Sequence, residues 1–180
     1  METFTTTAQL ELIHEGPSTR ILRGADTAGA PIIIKTLKPD HPSDREIARL
    51  RQEFETYKSL DGAARCELTR YEGKIALILE DFGGTPLSKL LEKHGSLKLK
   101  PFLRMAIQIT DALLQIHKKS IIHKDLKPAN IIINTQRGEV RIIDFGISTR
   151  LSRETQQLVA PDYLEGTIAY ISPEQTGRMN

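Results

Sequence analysis

Alternating apolar and polar positions mark the first half of the chain, and a helical period takes over further on. Leu10 and Leu12 alternate with polar neighbours up to Gly16-Pro17, which predicts a strand, and a second strand follows around Arg20 to Arg23. The turn Asp26-Thr27-Ala28-Gly29 leads into Pro31-Ile32-Ile33-Ile34-Lys35-Thr36-Leu37, a β-branched run. Three successive strands predict a small antiparallel sheet. Ser43-Asp44-Arg45-Glu46 has the spacing of a capping box. Ile47, Leu50, Phe54, Tyr57 and Leu60 then recur at helical spacing until Gly62. Glu67 to Tyr71 and Ile75 to Glu80 read as a hairpin around Glu72-Gly73-Lys74. Ser88 to His94 predicts a short helix stopped by Gly95. Phe102 to Lys119, preceded by Pro101, predicts a long one whose Leu103, Ala106, Ile107, Ile109, Leu113, Leu114 and Ile116 form a wide apolar face. Short apolar runs follow at Ile121-Ile122, Ile131-Ile132-Ile133 and Val140 to Ile143, so the fold class is α+β.

Chemistry gathers where these last runs end. His123-Lys124-Asp125-Leu126-Lys127-Pro128-Ala129-Asn130 lies between two of them, and Asp144-Phe145-Gly146 follows the third. Short buried strands that present acids or amides at their ends make a place for a cation and a phosphate. Lys127 can neutralise a transferring phosphoryl group, and Asp125 can orient or deprotonate a hydroxyl. Asn130 and Asp144 offer hard oxygen ligands. Upstream, Lys35 closes an apolar strand, and its ammonium either faces an anion or snorkels to water. Glu53 sits beside the apolar stripe of the capped helix, with Glu55 its competitor as a partner for a strand lysine.

Composition narrows the picture. In 180 residues, 39% are apolar, enough for a core, and 27% are charged. A net charge of +2 gives no steering towards nucleic acid or membrane. The lone cysteine, Cys66, excludes an internal disulfide framework and fits a reducing, cytoplasmic setting. No apolar run approaches the ~18 residues of a membrane span, and Met1 to Thr7 does not resemble a secretory signal.

The order of Asp125, Asn130 and Asp144-Phe145-Gly146 resembles the H-R-D-L-x-x-x-N and D-F-G signatures of protein kinases. Gly166-Thr167 and Ser172-Pro173-Glu174 resemble the close of a kinase activation segment, and Lys127-Pro128 with Thr167 is the serine/threonine form. The resemblance implies a two-lobe fold: a tail over residues 1–9, an N-lobe of antiparallel sheet plus helix over 10–80, a hinge at 81–84 and an incomplete helical C-lobe over 85–180. It implies ATP and Mg2+ as cofactors and a protein hydroxyl as substrate. Asp125 and Lys127 become catalytic, Lys35 with Glu53 the phosphate anchor, and Asn130 with Asp144 the metal ligands. Gly16, Ile21, Ile33, Lys35, Leu79, Glu80, Phe82 and Ile132 become the nucleotide-binding set, with Leu79 as gatekeeper and Glu80 and Phe82 contributing backbone.

Three departures from the family pattern stand out. Aligned on Ile21, the glycines of the phosphate-covering loop fall at His14, Gly16 and Thr19, and only Gly16 is present. Ile33 replaces a small residue expected two positions before the lysine. Lys124 stands where many protein kinases have an arginine that clamps a phosphorylated loop, and lysine is the poorer fork. The string Gly166 to Asn180 resembles the N-terminal kinase module of bacterial and cyanobacterial hybrid serine/threonine–histidine kinases, which implies further domains of a larger signalling protein. The alternatives are a nucleotide-binding or scaffolding remnant without turnover, or a small-molecule kinase of the aminoglycoside type. A kinase has further helices that cover the Phe102–Lys119 helix and anchor His123. The expectation is therefore a truncated, inactive chain with an exposed helix flank and a loosely held Asp125.

Overall fold

The computed structural model describes residues 4–6, 9–38, 40–60, 66–151 and 166–176. The chain divides into two compact units, residues 1–82 and 83–180.

The first unit is a five-stranded antiparallel sheet with one helix. Its strands are β1 (Glu11–Glu15), β2 (Thr19–Ala25), β3 (Pro31–Leu37), β4 (Cys66–Tyr71) and β5 (Lys74–Glu80), in the spatial order β1-β2-β3-β5-β4. The β4–β5 hairpin folds back so that β5, the more apolar arm, lies inside the sheet beside β3. Helix α1 (Asp44–Ser59) starts at Ser43, whose hydroxyl accepts the Glu46 N–H while the Glu46 carboxylate accepts the Ser43 N–H, so the expected capping box is complete. The Ser43 hydroxyl also donates to Glu46 Oε2 at 2.8 Å, and this bond, followed by that from the Ser43 N–H, holds the Glu46 carboxyl below its ordinary pKa. The expected stop at Gly62 lies outside the described residues.

Parity in the register gives the sheet two different faces. Ile32, Ile34, Ala76 and Ile78 form a sealed core with Phe4, Leu10, Leu22 and Tyr71 packed on it. The N-terminal stretch is part of that seal. Phe4 N–H donates to the Arg70 carbonyl at 2.7 Å, and the Thr6 hydroxyl donates to the Ala25 carbonyl at 2.6 Å. The other face carries Ile21, Ile33, Lys35 and Leu79, all only half-buried, so an apolar face with one cation is left partly open.

The second unit holds helices α2 (Leu87–His94) and α3 (Leu99–Lys118) and five short strands: β6 (Thr85–Pro86), β7 (Ile121–Ile122), β8 (Ile131–Asn134), β9 (Glu139–Ile142) and β10 (Thr149–Arg150). The strands form a three-stranded sheet β6-β8-β9 and an antiparallel ribbon β10-β7. α3 begins at Leu99, ahead of the predicted Phe102, with Pro101 inside its first turn. Proline is tolerated there because first-turn N–H groups have no intrahelical partner. The expected wide apolar face of α3 is divided. Ile116 is buried and Ala106, Ile109 and Leu113 are half-buried, whereas Leu103, Ile107 and Leu114 are exposed.

Candidate active site

Lys35 and Glu53 meet because α1 packs on the sheet over β4 and β5, so the Glu53 side chain reaches the Lys35 ammonium on neighbouring β3. Lys35 Nζ donates to Glu53 Oε2 at 2.6 Å. Glu53 is 2% exposed, on the buried stripe of α1 with Leu50, Thr56 and Tyr57. Glu55, its competitor in the sequence, is exposed and faces away from that stripe. Lys35 stands opposite Ile21 and Leu77, and Ile33 stands opposite Arg23 and Leu79. Glu80 is exposed at the end of β5, and Phe82 is buried. Between them the Asp81 N–H donates to the Pro31 carbonyl at 3.0 Å, and the Asp81 carboxylate pairs with Arg23 at 2.7 Å.

In the second unit, the segment from His123 to Asn130 is held by its own side chains. Asp125 accepts from Lys127 Nζ on Oδ2 at 2.7 Å and from the Thr167 hydroxyl on Oδ1 at 2.8 Å. Lys127 Nζ also donates to the Thr167 oxygen at 2.7 Å, which closes a three-membered ring of contacts. Asn130 Nδ2 donates to the Asp125 carbonyl at 2.8 Å and to Asp125 Oδ2 at 3.2 Å. Ile143 N–H donates to the Asn130 carbonyl at 2.9 Å, which brings the residue before Asp144 to the end of the loop. Lys124 and Asp144 both adopt left-handed backbone, with φ of +66° and +68°. Non-glycine residues persist there only where surrounding contacts over-determine them, and such positions cluster at functional sites.

His123 corrects one expectation. It does not lack an anchor: it is 3% exposed, its Nε2 lies 2.9 Å from the Ile143 carbonyl, and its ring packs on Phe145 with centroids 5.0 Å apart. Its Nδ1 accepts the Asp125 N–H at 3.2 Å, so the neutral tautomer with the proton on Nε2 satisfies both contacts. Burial pushes its pKa down, against the raising effect of the Ile143 carbonyl and the Asp144 and Asp125 carboxylates. Asp125 is therefore fixed at its backbone by the imidazole and at its carboxylate by Lys127 and Thr167.

The chain matches the protein kinase domain over residues 8–180. It belongs to the protein kinase domain family. It is 32% identical over 148 residues to "Serine/threonine-protein kinase PrkC" of Bacillus subtilis, covering 80% of this chain and 22% of that protein. It is 33% identical over 174 residues to "Serine/threonine-protein kinase PknA" of Mycobacterium tuberculosis, covering 91% of this chain and 40% of that protein. "Serine/threonine-protein kinase 36" of Mus musculus is 29% identical over 168 residues, 92% of this chain and 12% of that protein. The chain thus spans between 12% and 40% of the length of these curated relatives.

Asn130 and Asp144 are the residues of this kinase domain that could hold a magnesium ion. Asn130 uses its Nδ2 within the loop and leaves Oδ1 as an acceptor, and Asp144 adds a carboxylate. Among the described residues no group of three or more His, Cys, Asp or Glu side chains is placed to hold a metal.

The β1–β2 turn of the kinase domain is tied down. Gly16 N–H donates to the Thr19 carbonyl at 2.9 Å, Pro17 has no N–H, and the Ser18 carbonyl accepts from Lys38 N–H at 2.8 Å. Ile132 lies on β8 against Gly84, where an added Cβ would sit 2.6 Å from Ile132 Cγ2. The sequence marked Thr167 only as part of a resemblance, and its contacts to Lys127 and Asp125 span 40 and 42 positions. Gln175 was not singled out by the sequence at all, and its partner Lys124 lies 51 positions away.

Proposed function

We propose that this chain is the catalytic part of a serine/threonine protein kinase that transfers the γ-phosphoryl group of ATP, with Mg2+, to a hydroxyl of a protein substrate. The observation that carries this reading is the closed contact set of Asp125, Lys127 and Thr167 beside Asn130. It puts a carboxylate and an ammonium 2.7 Å apart, the pairing needed to take a proton from a nucleophilic hydroxyl and to balance charge on a phosphoryl group. Asp125 orients the substrate hydroxyl and receives its proton as the new P–O bond forms and the bond to the ADP oxygen breaks. Lys127 offsets the negative charge on the moving group. Lys35, steered by Glu53, holds the nucleotide phosphates, and Ile21, Ile33 and Leu79 offer an apolar face to adenine. Asn130 Oδ1 and the Asp144 carboxylate would hold Mg2+, which would supply charge neutralisation on the phosphates.

Thr167 with Lys127-Pro128 supports a serine or threonine substrate, and the relatives named serine/threonine-protein kinases support it further. The string Gly166 to Asn180 supports a place within a larger hybrid signalling protein. The test is phosphate transfer from labelled Mg-ATP to a generic basic protein by the full-length protein, with Asp125→Asn as control. Label that appears equally in both would sink the reading, as would label on a small aminoglycoside and none on protein.

One observation favours a second reading, nucleotide binding without turnover. The β1–β2 turn has directed the Gly16 amide inwards to Thr19 and has a proline next to it, leaving few amides for phosphate. Magnesium-dependent ATP binding with no transfer under any condition would select it.

A further inference from the structure

We propose that Gln175 is a positioning residue that holds the Lys124 peptide in its left-handed conformation and through it aims Asp125. The inference rests on the reading of Asp125 as the group that handles the substrate proton. Gln175 lies in a short 3-10 turn, Pro173–Thr176, yet its side chain uses both ends. Nε2 donates to the Lys124 carbonyl at 3.0 Å, across 51 positions. Oε1 accepts from the Ser172 N–H at 3.3 Å and from the Ser172 hydroxyl at 3.2 Å. The amide is thus clamped at its oxygen and presented by its nitrogen.

What it holds is the peptide that most needs holding. Lys124 has φ +66°, a strained conformation that a non-glycine residue keeps only where its surroundings impose it. The peptide that follows carries the Asp125 N–H, which donates to His123 Nδ1 at 3.2 Å. One peptide unit therefore has its oxygen fixed by Gln175 and its hydrogen fixed by His123. Rotating that unit would break both bonds and swing the Asp125 side chain away from Lys127 and Thr167. Gly166 completes the fit: an added Cβ there would come 3.1 Å from the Lys124 oxygen and 3.2 Å from Ile171 Cγ1. The segment 166–175 is shaped around that carbonyl. Both partners are uncharged, so the tether works without a phosphate and without an arginine at position 124.

Three variants of the full-length protein test this. Gln175→Glu keeps an acceptor for Ser172 and loses the donor to Lys124. Gln175→Met loses both, and Ser172→Ala removes one of the two donors to Oε1 while leaving the Ser172 N–H and the bond to Lys124 in place. Gln175→Glu and Gln175→Met should each lower kcat by roughly tenfold, the size of one lost hydrogen bond, with KM for ATP unchanged. Ser172→Ala should fall far less. The ratio of Gln175→Glu to wild type should rise from about pH 8 to about pH 5, as its carboxyl begins to take up a proton and can donate again. Amide hydrogen exchange across residues 121–130 should speed up in Gln175→Met. That readout needs no turnover, so it separates failure of the tether from failure of the kinase reading. Unchanged kcat and exchange in Gln175→Met would overturn the proposal. So would a Ser172→Ala loss equal to that of Gln175→Glu with no pH dependence in the ratio.

Discussion

Lys35 Nζ donates to Glu53 Oε2 across 2.6 Å, and the acid is almost wholly shielded from water at 2% exposure. A buried charge that loses its partner is left uncompensated, at a cost of about 3–5 kcal/mol. The position of Glu53 thus fixes the position of α1 relative to β3 and ties the ammonium to one place on the half-open face of the sheet.

Removing one side of this pair should therefore harm both stability and transfer. Glu53→Ala should lower the unfolding free energy by about 3 kcal/mol, whereas Glu55→Ala at an exposed site should stay within about 0.5 kcal/mol. In kinetics, Lys35→Met, Glu53→Gln and the double variant should be nearly equal, because the two act as a unit. Urea unfolding and a double-mutant cycle check this, and additive losses would count against it.

Asp125 and Asp144 should separate chemistry from binding. Asp125→Ala should cut transfer by ~10²–10⁴ with nucleotide binding nearly intact. Asp144→Ala should abolish the magnesium dependence of ATP binding. Titration calorimetry with and without Mg2+, beside a transfer assay, distinguishes them.

Thr167 should depend on its hydroxyl and not on its methyl group. It donates to Asp125 and accepts from Lys127, so Thr167→Val leaves two polar groups short of a partner. A fall of about tenfold or more in kcat is expected for Thr167→Val, with recovery in Thr167→Ser. Failure of serine to recover activity would point to packing instead.

His123 should make the fold sensitive to mild acid. Its folded pKa lies below the ordinary 6.5 because burial disfavours the imidazolium. The unfolded chain then binds the proton more readily, so this contribution is fully present above 6.5 and is lost as pH falls through that value and on through the lower folded one. Urea midpoints should drop over this window in wild type, and the drop should be smaller in His123→Phe. Identical slopes would show that other groups carry the effect.

The outer flank of α3 should bind hydrophobic dye. Leu99, Phe102, Leu103, Ile107 and Leu114 are 46–71% exposed along one helix, a patch of the kind that drives association. Dye fluorescence of the 180-residue chain should fall in an Ile107→Lys, Leu114→Lys variant, measured alongside light scattering.

Much of this was legible because it depends on near neighbours in sequence. Ser43 and Glu46 complete a capping box within one turn, and the run Pro31–Leu37 makes β3 at its predicted limits. Asp125, Lys127 and Asn130 lie close enough along the chain for a single loop to group them. The choice of Glu53 over Glu55 was legible only as a preference, and it took the packing of α1 on the sheet to bury one and expose the other. Tertiary structure alone placed the Thr167 hydroxyl on Asp125 and the Gln175 amide on Lys124, since partners 42 and 51 positions apart leave no periodic trace. It also divided the apolar face of α3, because periodicity reports which residues share a helix side and not how much of that side a neighbour covers. The anchoring of His123 belongs to the same class: a carbonyl at Ile143 and a ring at Phe145 reach it through the fold, by contacts its own neighbours in sequence do not announce.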